Sequence, residues 1–223
     1  MHDADDIQLE LESVGYGELR DGVQHVWLFT DDGTIDCRYH HTGSGDAAVI
    51  WVGGAGGGLE GPAGGLYPRL AARLAPAGIA SLRLDYRQPN QLAACTLDVL
   101  LAITHLAEHG RQRFILAGHS FGGAVVISAG AISPEVIGVA ALSSQTYGTV
   151  AAADLSPRPL LLLHGGADEV LPPACSHDIY RRARAPRQIR LYPGCGHNLD
   201  ACRDQVDHDL LDWITTVVQS PDP

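Results

Sequence analysis

The feature that most constrains this chain is the rhythm of its apolar runs. From Ala47 onward the short segments "AAVIWV", "GIASLRL", "RFILAG", "VIGVAAL", "PLLLLHG" and "QIRLYPG" recur along the sequence. They lack the polar alternation of a strand with one wet face, so both faces must be covered. Between them lie longer segments of helical character, "YPRLAARLAPA", "LAACTLDVLLAITHLAEHG", "FGGAVVISAGA" and "PPACSHDIYRRARA", with "CRDQVDHDLLDWITTVVQ" at the end. Strands and helices in alternation imply an α/β fold: a mostly parallel central sheet with helices on both faces. The first fifty residues differ. There "VQHVWLF" and "TIDCRYHH" flank Asp32-Gly33 and read as a hairpin, which adds an antiparallel N-terminal edge.

Composition narrows the possibilities. The 223 residues, 45% hydrophobic and 18% charged, suit a single domain over residues 1–223 rather than two small ones. A formal charge of -11 argues against nucleic acid as a partner, and the densest basic cluster, "YRRARAPR", reads as the solvated face of a helix. The start, "MHDADDIQLE", has neither the basic end nor the apolar core of a secretory signal, and no apolar run nears the roughly 20 residues of a membrane span. A cytoplasmic protein with no membrane partner is expected, unless a leader has been removed. Nothing in the sequence chooses between monomer and homodimer.

Cys37, Cys95, Cys175, Cys195 and Cys202 are odd in number and show no paired short spacing, so free buried thiols are expected. A Cys195–Cys202 bridge stays open. No constellation implies a metal ion or an organic cofactor.

The chemistry concentrates where "RFILA" gives way to "FGGAVVISAGA". In a parallel sheet, active groups collect beyond the carboxyl ends of the strands, and Ser120 sits at such an end. A serine held on a sharp strand-to-helix turn needs small residues two positions before and after it. Gly118 and Gly122 meet that need in "GHSFG". His119 is adjacent, but neighbours on a tight turn point in different directions, so it reads as a packing or pocket-lining residue and the base must come from elsewhere.

With these residues in view the chain, from Ala47 to its end, resembles the α/β-hydrolases, in which the triad runs nucleophile, acid, histidine. The resemblance implies Asp168 as the acid, in "HGGADEVLPP". Glu169, Asp154 and Asp85 are weaker rivals. It implies His197 as the base, in "GCGH" after the last strand. Such a trio is needed because a Ser hydroxyl is a poor nucleophile until a correctly oriented imidazole takes its proton. The resemblance also implies two backbone donors for the developing oxyanion, each worth on the order of 3 kcal/mol. One is Phe121, after the nucleophile. The other is Ala55 in "WVGGAGGG", where Gly53 stands in the family's His position and Gly54 in its Gly position. A phosphate-binding loop is a poorer match there, because no Gly-Lys-Ser/Thr ending follows and a G-x-G-x-x-G fit fails at Leu59.

About 16 residues, "SSQTYGTVAAADLSPR", separate the strand ending at Leu142 from "PLLLLHG", too few for a sizeable cap. The expected protein is therefore a small, lidless, esterase-like or dienelactone-hydrolase-like serine hydrolase acting on a small-molecule acyl substrate. Dienelactone hydrolases carry Cys at the nucleophile position, so Ser120 favours carboxylester cleavage. Thioesterase, peptidase and non-catalytic binding readings remain alternatives. Gly54, His119, Tyr86, Gln145 and Tyr147 are candidate pocket residues, since they leave strand ends or flank the nucleophile.

Overall fold

A computed structural model of the chain describes residues 9–221. Most of the acidic N-terminus lies outside them. Among the described residues nine strands form one sheet: β1 (Leu11–Arg20), β2 (Val23–Thr30), β3 (Gly33–His40), β4 (Ala47–Val52), β5 (Ala80–Asp85), β6 (Arg113–His119), β7 (Val136–Leu142), β8 (Leu160–Gly165) and β9 (Arg187–Tyr192). Five helices connect or follow them: α1 (Pro62–Leu74), α2 (Leu92–Glu108), α3 (Phe121–Ile132), α4 (Ala174–Arg182) and α5 (Arg203–Gln219).

The spatial order is β1-β2-β3-β5-β4-β6-β7-β8-β9. Strands β4 to β9 run parallel, while β1, β2 and β3 join antiparallel, with β3 paired antiparallel to β5. From β4 the chain steps outward to β5, then returns across β4 to β6. The carboxyl ends of β4 and β6 thus flank the point where the strand order reverses, where α/β sheets open a crevice for ligands.

The covered faces explain the unbroken apolar runs. In β4, Ala47, Val49 and Trp51 pack with Leu66 and Leu70 of α1 and Leu210 and Ile214 of α5. The alternate residues Ala48, Ile50 and Val52 pack on the other face with Val99 of α2, Val125 of α3 and Ile179 of α4. All six are buried, because each face meets a helical layer.

The antiparallel edge is larger than the sequence reading drew it. Strand β1 is a third member, joined to β2 through Asp21 and Gly22, both at positive φ (50° and 77°). Asp-Gly is the signal for such a turn, and it identifies this hairpin in retrospect. At the β2–β3 hairpin the positive φ sits on Gly33 (115°) alone, and Asp32 keeps an ordinary backbone.

Between β7 and β8 lies only a short 3₁₀ segment, Val150–Leu155, so among the described residues no cap covers the carboxyl ends of the strands. The expectation of five free thiols is corrected: Cys195 and Cys202 form a disulfide, while Cys37, Cys95 and Cys175 are free. The first pair is bridged because the turn after β9 doubles back onto the start of α5 and brings their Cα atoms to 5.9 Å. The basic cluster is only partly a solvated helix face. Arg182 donates to the Thr149 carbonyl and hydroxyl, and Arg187 sits over the Tyr180 ring.

Candidate active site

Ser120 lies between β6 and α3 with φ 57° and ψ -117°. A non-glycine residue there is strained by on the order of 1–3 kcal/mol and persists only when its surroundings dictate it. They do. The Ser120 N–H donates to the Leu142 carbonyl at 2.8 Å, and its own carbonyl accepts from the Gly123 N–H at 3.1 Å. A Cβ on Gly118 would lie 2.2 Å from the Gly122 carbonyl oxygen, and one on Gly122 would lie 2.2 Å from that of Gly53. Both glycines are therefore needed for space, as the sequence spacing implied.

The Ser120 hydroxyl is 3.1 Å from His197 Nε2, and His197 Nδ1 is 2.8 Å from Asp168 Oδ2. A carboxylate oxygen only accepts, so Nδ1 carries the imidazole proton and Nε2 is left to receive the hydroxyl proton. Asp168 follows β8, and its Oδ1 accepts from the N–H groups of Val170 (2.9 Å) and Leu171 (2.8 Å). Burial works against its charge, but the bonds from His197, Leu171 and Val170 outweigh burial and hold its carboxyl below the usual range. Of the rival carboxylates, Glu169 is exposed, Asp154 lies in the 3₁₀ segment, and Asp85 accepts from the Gly58 and Tyr86 N–H groups.

His197 rides on the loop between β9 and α5, and three tethers hold that loop. The Ala167 N–H donates to the Cys195 carbonyl (2.8 Å), the Ala63 N–H to the Asn198 carbonyl (2.7 Å), and the disulfide closes it. His119 supplies a fourth: its Nε2–H donates to the His197 carbonyl at 3.0 Å. Burial lowers the His119 pKa to about 4, so its ring is neutral at ordinary pH. His119, the neighbour of Ser120, thus fastens the His197 loop to the turn.

The glycine-rich loop sits beside Ser120. A Cβ on Gly54 would be 3.5 Å from the Ser120 Cβ. Ala55 follows, exposed, inside a turn closed by the Gly57 N–H on the Gly54 carbonyl (3.0 Å). Phe121 opens α3, where an N–H has no carbonyl partner within the helix. With Gly53 in place of a histidine, other side chains brace the loop. Tyr86 Oη donates to the Gly53 carbonyl (3.1 Å), Tyr67 Oη to the Val52 carbonyl (2.7 Å), and Asp85 Oδ1 accepts from the Gly58 N–H (2.7 Å).

The candidate pocket residues separate accordingly. Gly54 and His119 line a cleft of about 420 Å³ together with Gly57, Glu60 and Asn198. Tyr86 is buried, its ring edge-on to Phe121, and acts as a brace instead of a wall. Gln145 is half-buried, its N–H pointing at the Ser120 carbonyl (3.4 Å), and Tyr147 stands 79% exposed. Among the described residues no group of three or more His, Cys, Asp or Glu could hold a metal ion.

Solved structures share this arrangement of strands and helices. A dienelactone hydrolase from Anabaena variabilis superposes with a TM-score of 0.75 at 18% identity, covering 87% of this chain and 98% of that one. The fold is that of the α/β-hydrolases. A Xanthomonas campestris α/β serine hydrolase without a lid agrees as well, with a TM-score of 0.72 at 16% identity over 92% of this chain and all of that one. Residues 137–201, which carry Asp168 and His197 on this α/β-hydrolase scaffold, match the family described as serine aminopeptidase, S33. The uncharacterized protein YfhR of Escherichia coli is 31% identical over 133 residues. The match takes in 49% of this chain and spans about half (46%) of that relative.

Proposed function

We propose that the chain is a serine hydrolase that cleaves a small carboxylic ester through an acyl-Ser120 intermediate. The observation that carries this reading is the continuous line Ser120 Oγ, His197, Asp168, with links of 3.1 and 2.8 Å. In the first half-reaction Ser120 Oγ attacks the ester carbonyl while its proton passes to His197 Nε2. The tetrahedral intermediate collapses, the acyl–oxygen bond breaks, and His197 gives the proton to the departing alcohol. Water then repeats the sequence against the acyl-serine, releasing the acid and returning the proton to Ser120. Asp168 holds the imidazole tautomer and balances the charge of the imidazolium. The N–H groups of Phe121 and Ala55 are the proposed oxyanion donors.

The short β7–β8 connection favours small or extended acyl groups over long lipids. A fluorophosphonate probe should label Ser120 covalently, and Ser120→Ala should lose about 10⁵-fold or more of ester turnover with the melting temperature unchanged. A folded protein that takes no label refutes the enzyme reading and leaves a binding module. Peptide cleavage is a second reading, favoured by the family match over 137–201. A chain-length series of p-nitrophenyl esters, run beside thioesters and aminoacyl anilides, separates the two. Cytoplasmic residence belongs to the same reading, and the Cys195–Cys202 disulfide weighs against it, since disulfides persist in oxidising compartments. Cell fractionation checks it.

A further inference from the structure

A cavity of about 250 Å³ lies at the opposite end of the sheet from Ser120. It opens between the antiparallel strands β1, β2 and β3 and the C-terminal end of α2, and Arg111, just before β6, forms part of its wall. Buried Val26, Leu82 and Leu106 give it an apolar lining, to which Tyr16 and Tyr39 add aromatic rings.

Three polar groups on this lining keep bonding capacity that the fold leaves unused. Arg111 donates from Nε to the Tyr39 hydroxyl (3.1 Å) and from Nη1 to the Ser44 and Gly45 carbonyls. All of these partners are neutral, so among the described residues no carboxylate balances its guanidinium and Nη2 has no acceptor. The Tyr39 hydroxyl accepts the Arg111 bond and has no acceptor among them for its own proton. His105 is 4% exposed, and among the described residues neither of its ring nitrogens has a hydrogen-bond partner. Burial holds that ring neutral, so it has one N–H to give. The neighbouring polar groups are engaged: Gln24 bonds the Gly17 carbonyl and His41, and His109 bonds the His105 carbonyl.

Unspent donors beside an unbalanced cation call for a group that only accepts and carries negative charge, and the rings and aliphatic groups around them call for a flat apolar body. A carboxylate meets the first demand, since a guanidinium offers it a matching fork. Size sets the second: a cavity of about 150 Å³ takes benzene, so this one suits a single ring bearing a carboxylate. We infer that the cavity is a binding site for a small aromatic monocarboxylate, held by Arg111, Tyr39 and His105 and separate from the Ser120 cleft. The inference does not rest on the serine-hydrolase reading, because binding here needs no turnover at Ser120.

The test titrates sodium benzoate into the whole protein and follows backbone amides by ¹H–¹⁵N NMR. Saturable shifts should appear at Tyr39, His105 and Arg111, with Kd on the order of 1 mM. Benzamide, which has the shape without the charge, should bind at least about 10-fold more weakly, and cyclohexanecarboxylate, which has the charge without the flat ring, about 3-fold more weakly. Arg111→Gln should weaken benzoate by about 10-fold or more and Tyr39→Phe by about 3–10-fold. The inference is overturned by the absence of saturable shifts up to about 20 mM benzoate, by shifts confined to the amides around Ser120 and His197, or by either analogue matching benzoate. Arg111 also ties down Ser44 and Gly45, so should Arg111→Gln not fold, Tyr39→Phe decides, and an unchanged benzoate affinity in that variant overturns the inference.

Discussion

Removing the Cys195–Cys202 disulfide tests how much of the site's order comes from one covalent tie. The bridge joins residues seven apart and encloses His197. Closing a loop of about eight residues lowers the entropy of the unfolded chain enough to stabilise the fold by about 2.5 kcal/mol at 25 °C. In a domain of this size 1 kcal/mol moves the melting point by about 2–4 °C, so the loss should be about 5–10 °C. The activity consequence is bounded by the same energy. If all of it were spent on holding the imaginary line from His197 to Ser120, turnover would fall by about 70-fold. The Cys195, Asn198 and His197 carbonyls keep their donors from Ala167, Ala63 and His119, so the fall should be well inside that bound, in kcat with KM little changed. Cys195→Ala/Cys202→Ala and the chemically reduced wild type should agree in calorimetry and in esterase assays. Intact mass should first confirm the bridge by the loss of two hydrogens. A melting point that moves by less than about 1 °C in both samples, with the bridge confirmed beforehand, refutes the loop-closure reasoning.

Two further outcomes concern stability. Asp98 is buried and accepts from Arg87 Nε (2.5 Å) and the Arg87 N–H (3.0 Å), so Asp98→Ala, which leaves the buried Arg87 guanidinium with Asp32 alone as its carboxylate partner, should cost about 3 kcal/mol in urea unfolding; a loss below about 1 kcal/mol contradicts this. His40 and His119 are both buried with pKa lowered to about 4, against 6.5 for the free side chain. The unfolded chain binds protons at these sites first, so their contribution to stability is present above pH 6.5 and lost as pH falls toward 4. The melting point should drop across that window, and His119→Gln should flatten the drop; an unchanged slope would show that His119 is not the group responsible.

Several features are legible in the sequence because local chemistry dictates them. The unbroken apolar runs of β4, β6, β7 and β8 announced strands covered on both sides. Gly118 and Gly122 announced a tight turn around Ser120, and no arrangement of a bulkier residue fits 2.2 Å from a carbonyl oxygen. His197 was readable only through the resemblance to the α/β-hydrolases, which places the base after the last strand, since eleven histidines give no preference by themselves. Strand β1 was overlooked although Asp21-Gly22 marked its turn, because its residues are half-wet and its apolar pattern is weak.

What the sequence determined by itself was the layering of the fold and the strained serine turn, both set by short-range periodicity and steric demand, while Asp168 and His197 as partners of Ser120 came from the resemblance to the α/β-hydrolases. Only the tertiary structure decided the rest: the tyrosines that brace the glycine loop, the pairing of Cys195 with Cys202, His119 as a clasp on the His197 loop, and the cavity that Tyr39, His105 and Arg111 share. Each of these depends on groups that meet through folding. Tyr86 and Gly53 are 33 residues apart, and His119 and His197 are 78. Their meeting is governed by the order of strands in the sheet, which no local pattern encodes.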